Sequence, residues 1–271
     1  MRRRAVEFLS LAAVLLLLLS ACASTGGGGG GADAAAPAAP DYREEMGDNG
    51  LPTPRALYAR YVEAIGGEDA IRAHTSSVSK GKFKLAAMGV EGDLTIHAMA
   101  PNRMHMVIET PMGSMENGYD GKVAWSVNPF TGDEILEGSA AAQARAQADY
   151  YLPLNYAAHY PTSETVEETE FGGQAAYKVK LVDAEGGESV QYFAKDSSLI
   201  IGSEVTQQGP AGAAEVTITI SDYQDFDGLM VATKQVMSVQ GMDIENVIES
   251  VTYDGLSEAD FELPDSIKSK L

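Results

Sequence analysis

Few residue types in this 271-residue chain could do chemistry. It has one cysteine, Cys22, and four histidines, His74, His97, His105 and His159. A lone cysteine forms no intrachain disulfide and no multi-thiol metal site, and Cys22 sits outside any stretch that could fold around a nucleophile. The histidines show no HExxH or paired-ligand spacing, and no G-x-S-x-G elbow offers a nucleophilic serine. His97 and His105 can face each other across adjacent strands, which reads as a surface pair far more readily than as a metal site. Glu164, Glu167, Glu168 and Glu170 read as the solvated edge of a sheet, where charge discourages further pairing. The glycine run at 26–31 has no strand before it and no helix after it, so it cradles no phosphate. No catalytic residue, metal or cofactor is expected, and the chain reads as non-enzymatic.

Cys22 takes its meaning from its neighbours. Arg2, Arg3 and Arg4 form a basic start, residues 8–19 are apolar apart from Ser10, and small residues follow. That is the layout of a secretory signal, too short for a membrane span of about 20 residues. Leu19-Ser20-Ala21-Cys22 then resembles the lipobox of bacterial lipoproteins, in which cleavage falls before a cysteine carrying a diacylglycerol thioether. The resemblance implies that Cys22 is the lipid attachment point and that residues 1–21 are a lipoprotein signal peptide. Ala23 after the cysteine implies an outer-membrane location facing the periplasm.

Charge narrows the partners. The formal charge is -20, and losing three arginines and one glutamate with the leader takes it to -22. Such an acidic chain is a poor match for nucleic acid or for anionic headgroups, so membrane attachment is left to the lipid. Residues 22–50, rich in Gly, Ala and Pro and then polar, read as a lipidated cysteine and a disordered tether reaching about 30 Å. Residues 51–271 are expected to form one β-domain.

Its elements follow from spacing. Thr53 suits an N-cap and Pro54 a first helical position, with Gly66-Gly67 as the stop. A short helix at 68–74 follows. From Ser77 the apolar period becomes two, as in Met104, Met106 and Ile108, or Val123, Trp125 and Val127. Turns such as Asp120-Gly121 and Asp227-Gly228 divide about a dozen strands in hairpin order. One interruption, at 139–159, contains an alanine-rich helix and a second helical segment. The expected fold is mainly β with α (α+β): a curved antiparallel sheet, or incomplete β-barrel, wrapped around a few helices.

Pro101-Asn102-Arg103-Met104-His105-Met106, Thr110-Pro111 and the run from Tyr119-Asp120-Gly121-Lys122 through Trp125 to Asn128-Pro129 resemble the LolA/LolB family of lipoprotein carriers and receptors. Phe261 to Pro264 resembles that family's closing F-x-x-P element. The resemblance implies an apolar cavity for acyl chains, with Met104, Met106, Ile108, Trp125 and Val127 facing it and Met112 and Met115 at its rim. Trp125 reads equally as a plain core tryptophan, and the methionines as gap-fillers. Ala100 stands where the soluble carriers have a lid-latching arginine, which fits a fixed receptor or sensor better than a shuttle. The expected function is a membrane-anchored protein that binds a hydrophobic ligand, a lipid or lipoprotein acyl chain. The alternative is a module of the same fold without a ligand cavity that docks on envelope proteins.

Overall fold

The computed structural model describes residues 41–271, apart from 210 and 211 and the side chains of 207–213. Leu19, Ser20, Ala21, Cys22 and residues 23–40 of the expected tether lie outside the described residues.

Among the described residues thirteen strands form one antiparallel sheet: β1 Ser76–Leu85, β2 Val90–Met99, β3 Arg103–Thr110, β4 Gly113–Tyr119, β5 Ala124–Val127, β6 Glu134–Ile135, β7 Thr162–Phe171, β8 Gln174–Val182, β9 Glu188–Ala194, β10 Ile200–Gly209, β11 Gly212–Phe226, β12 Leu229–Val239 and β13 Met242–Tyr253. Their order is β6-β5-β4-β3-β2-β1-β13-β12-β11-β10-β9-β8-β7. The first strand pairs with the last, so the two sheet edges are β6 and β7, neighbours in sequence. Helices α3 Gly138–Ala148 and α4 Leu152–His159 carry the chain between those edges. Helices α1 Pro54–Ala64 and α2 Gly67–Ile71 precede the sheet, and α5 Asp265–Lys268 follows it.

Local chemistry sets these boundaries. The Thr53 hydroxyl accepts from the Ala56 N–H at 3.1 Å and caps α1. The stop at Gly66 is a requirement: its φ is +127°, and a side chain there would run into the Gly228 carbonyl. Residues from α1, from β2–β4 and from β8–β13 share one core, so the sheet wraps around its helices.

Residues 41–50, expected to belong to a tether, pack against the folded domain. The Tyr42 ring lies under the Arg55 guanidinium at 4.4 Å, and Thr53 N–H donates to the Glu45 carbonyl at 3.0 Å. Asn49 Nδ2 donates to the Thr165 carbonyl at 2.8 Å. These contacts hold residues 41–50 against α1 and β7, which polar composition alone did not disclose. As expected from its glutamates, β7 is an edge, and it carries a bulge between Thr165 and Glu167.

Candidate functional site

The helix-covered face of the sheet holds most of the residues singled out from the sequence. Met104, Met106, Ile108 and Met115 lie on it, each below 7% exposed, beside Tyr119 and Ala124. Across them lies α3, which packs on β3, β4 and β5. The buried residues of α3 are Ala142, Ala146 and Ala148, and Ala141 and Ala144 pack half-buried against the core, so the helix buries methyl groups and no larger side chain. At about 0.8 kcal/mol per buried carbon, that is roughly 2–3 kcal/mol. Helix α1, by contrast, buries Leu57, Tyr58 and Tyr61 with Ile65 at its C-cap, about 6–12 kcal/mol at 1.5–3 per large side chain. One helix is therefore bolted down, and the other rests lightly on a methionine-rich wall.

The anchoring around α1 is aromatic. The Tyr58 ring stacks on Tyr156 of α4 at 3.8 Å and 4°, and meets Phe193 edge-on at 5.2 Å. Its hydroxyl donates to Gln191 Oε1 at 2.6 Å. Burial holds the Tyr58 and Tyr61 phenols well above their usual 10, so both stay protonated donors. Tyr223 donates in turn to the Ile200 carbonyl at 2.8 Å.

The junction between α3 and α4 belongs to α4. Asp149 accepts from Tyr151 N–H at 2.9 Å and Asn155 Nδ2 at 3.1 Å, and pairs with His159 Nε2 at 2.7 Å. At its other end α3 starts at Gly138, φ +55°, with no capping side chain. A surface pair, Arg145 Nη2 to Glu185 Oε1 at 3.1 Å, straps α3 to the β8–β9 turn. Beside the strap a cleft of about 30 Å³ opens between α3 and β9–β10, lined by Gln143, Gln147, Leu152, Tyr160, Gln191 and Ser203 among others. Ser203 is 4% exposed, and its hydroxyl has no hydrogen-bond partner among the described residues. Asn117 Oδ1, on β4, is also buried without a partner.

Two residues fall elsewhere. Cross-strand register pairs Trp125 with Gly118 and Gly118 with His105, on the opposite face from Met104 and Met106. Trp125, 2% exposed, and Val127 therefore do not face the covered side. Alternation along β5 fixed which residues share a face but not which face meets the helices. Gly118 makes room for the indole, whose ring would lie 2.9 Å from any Cβ placed there. Met112 sits 44% exposed on the β3–β4 turn. Gln191 and Ser203 escaped notice, although polar residues at core-facing positions of apolar strands were the available signal.

The histidines act as staples between elements. His97 and His105 are cross-strand partners with rings 6.3 Å apart, and His105 Nε2 lies 2.9 Å from Glu116 Oε2. His74 stacks on Tyr253 and pairs with Asp254 at 3.1 Å. No group of three or more metal-ligating side chains occurs among the described residues. Over His97 and β3 lies the C-terminal segment, held by Arg103 Nη1 to Glu258 Oε1 at 3.0 Å. Burial, and then His105, lower the His97 pKa from 6.5, with Lys80 adding to this and Asp260 opposing it. A lowered histidine pKa means that the unfolded chain binds more protons, so stability is lost as pH falls below about 6.5 toward the folded value. A thermal-melt series from pH 7.5 to 5.5 should show a drop of a few degrees, and His97→Gln should flatten it.

The fold belongs to a known structural class. Mainly β with a few helices, it is the LolA-like fold of an open antiparallel sheet around helices. A LolA superfamily protein from Nitrosomonas europaea matches with a TM-score of 0.53 at 11% identity, over 78% of this chain and 98% of that one. A DUF1329 family protein from Desulfovibrio piger also matches with a TM-score of 0.53, at 15% identity over 77% and 96%. A Vibrio parahaemolyticus domain named for outer membrane lipoprotein sorting gives 0.50 at 13% identity, over 76% and 95%. No family model matches the sequence, and no curated protein does.

Proposed function

We propose that this chain is a lipid-anchored, non-enzymatic protein of the cell envelope that binds an apolar ligand, a lipid or the acyl chains of a lipoprotein, between α3 and the methionine face of β3–β4. One observation carries the reading: a helix that buries only alanine lies over a wall of Met104, Met106, Ile108 and Met115. Such a lid costs little to lift, and thioethers adapt to chains of varied shape. The likeness of fold to structures named for LolA and for lipoprotein sorting adds support. In this reading residues 1–21 are a signal peptide, Cys22 carries the lipid, and the tether holds the domain at the outer membrane facing the periplasm, as a receptor or sensor more than a shuttle.

The chain from Ala23 onward, which retains every described element, can be titrated with the apolar fluorophore N-phenyl-1-naphthylamine. A saturable, one-to-one rise in emission is expected. The continuous cluster of buried side chains favours one second reading, an interaction module that binds envelope proteins and no lipid. Absence of probe binding together with crosslinked protein partners would support that reading instead.

A further inference from the structure

We infer that Asn117 is the polar anchor of the ligand, and that it selects amphiphiles that donate a hydrogen bond beside their hydrocarbon chain, from a hydroxyl or an amide N–H, over chains whose polar end only accepts. The inference rests on the apolar-ligand reading above and adds the chemistry required of the ligand's polar end.

Register places Asn117 inside the proposed site. It lies on β4 between Met115 and Tyr119, on the same face as both, with Met106 of β3 and Ser126 of β5 as its cross-strand neighbours. Ser126 is itself buried. A polar pair therefore interrupts the methionine wall on the strands that α3 packs against. A chain lying along the thioethers of that wall has this pair within reach of its polar end.

Asn117 also lacks the partner that a purely structural asparagine has. Its Oδ1 is shut off from solvent and has no hydrogen-bond partner among the described residues. A buried carbonyl oxygen left in that state costs stability and is normally met by a donor. Helix α3 supplies none: the side chains it buries are alanines, and its Gln143 and Gln147 line the cleft at β9–β10 instead. Met106 and Met115 carry no N–H or O–H to offer. The same condition recurs on the same face at Ser203 Oγ and at Asn246 Oδ1, the latter between the core residues Ile244 and Ile248. Unsatisfied polar atoms thus lie on the surface that the helices cover, where a ligand would be enclosed. A carbonyl acceptor is satisfied by an O–H or N–H, and an ester brings neither.

Competition against bound N-phenyl-1-naphthylamine tests this with the chain from Ala23 onward, below the aggregation concentrations of the competitors. Oleamide and methyl oleate share their chain and carbonyl and differ only in an amino against a methoxy group. Oleamide should displace the probe at a concentration about tenfold lower than methyl oleate. Asn117→Leu, close in shape and without the acceptor, should weaken oleamide until the two fall within about threefold of each other, and leave methyl oleate unchanged. The variant should melt no lower than the parent, because exchanging an orphaned acceptor for an apolar group of similar shape costs little. A residue that only holds the fold would give the opposite pair of results, a lower melting temperature and an unmoved preference. Equal displacement by oleamide and methyl oleate in the unaltered protein would overturn the inference while leaving the apolar-ligand reading intact, as would a preference that Asn117→Leu does not move. A probe that fails to bind at all would overturn the apolar-ligand reading and this inference with it.

Discussion

Tyr58→Ala should destabilise the protein by about 3–5 kcal/mol, the range for deleting a large buried aromatic ring. Three losses coincide. The stack on Tyr156 at 3.8 Å disappears, and with it the contact that pins α4 to α1. The edge-on contact with Phe193 goes too, which leaves α1 only the longer Tyr61–Phe193 contact, at 6.2 Å, on that ring of β9. Gln191 Oε1, buried on the inner face, is left without its donor. Tyr58→Phe separates these effects. It keeps both ring contacts and removes only the hydroxyl, so the cost should be that of an orphaned buried acceptor, about 1–3 kcal/mol. Urea denaturation of the three proteins measures both values. A Phe variant as damaged as the Ala variant would mean that the hydrogen bond, not the stacked rings, holds the helix down.

Locking α3 to the sheet should abolish ligand binding without unfolding anything. The lone-cysteine composition makes the experiment clean: in the chain from Ala23 onward, Arg145→Cys with Glu185→Cys introduces the only two thiols. Those positions already face each other across the cleft through a 3.1 Å ion pair. That pair is exposed and worth about 1 kcal/mol at most, so replacing it costs little. A bismaleimide bridge should then lower the affinity for N-phenyl-1-naphthylamine by more than tenfold, while the unbridged double variant binds like the parent. The size of the effect follows from the lid mechanism: Met104, Met106, Ile108 and Met115 are buried when the helix is down, so a chain reaches them only if the helix lifts. Unchanged affinity after bridging would place the probe elsewhere on the molecule.

Much of this architecture was legible in the sequence, for identifiable reasons. The Thr53-Pro54 start and Gly66-Gly67 stop bounded α1 because capping and left-handed glycine are local properties. Met104, Met106 and Ile108 shared a face because strand alternation is local too. What alternation leaves undetermined is which face meets the helices, and Trp125 shows the consequence. Its apolar neighbours matched a core-facing pattern, yet the register through Gly118 to His105 turns the indole to the opposite side. The closure of β1 on β13 is non-local and left no mark in the sequence. Nor did the docking of residues 41–50, which depends on single side chains such as Asn49 and Tyr42 finding partners far along the chain.

The most direct test of lipid binding is native mass spectrometry of the chain from Ala23 onward, secreted into a bacterial periplasm and purified without detergent. The expected result is a population of protein carrying one lipid-sized adduct, released on mild activation and extractable into organic solvent. Protein recovered at its bare sequence mass, with an empty extract and no uptake of added monooleoylglycerol or oleate, would contradict it.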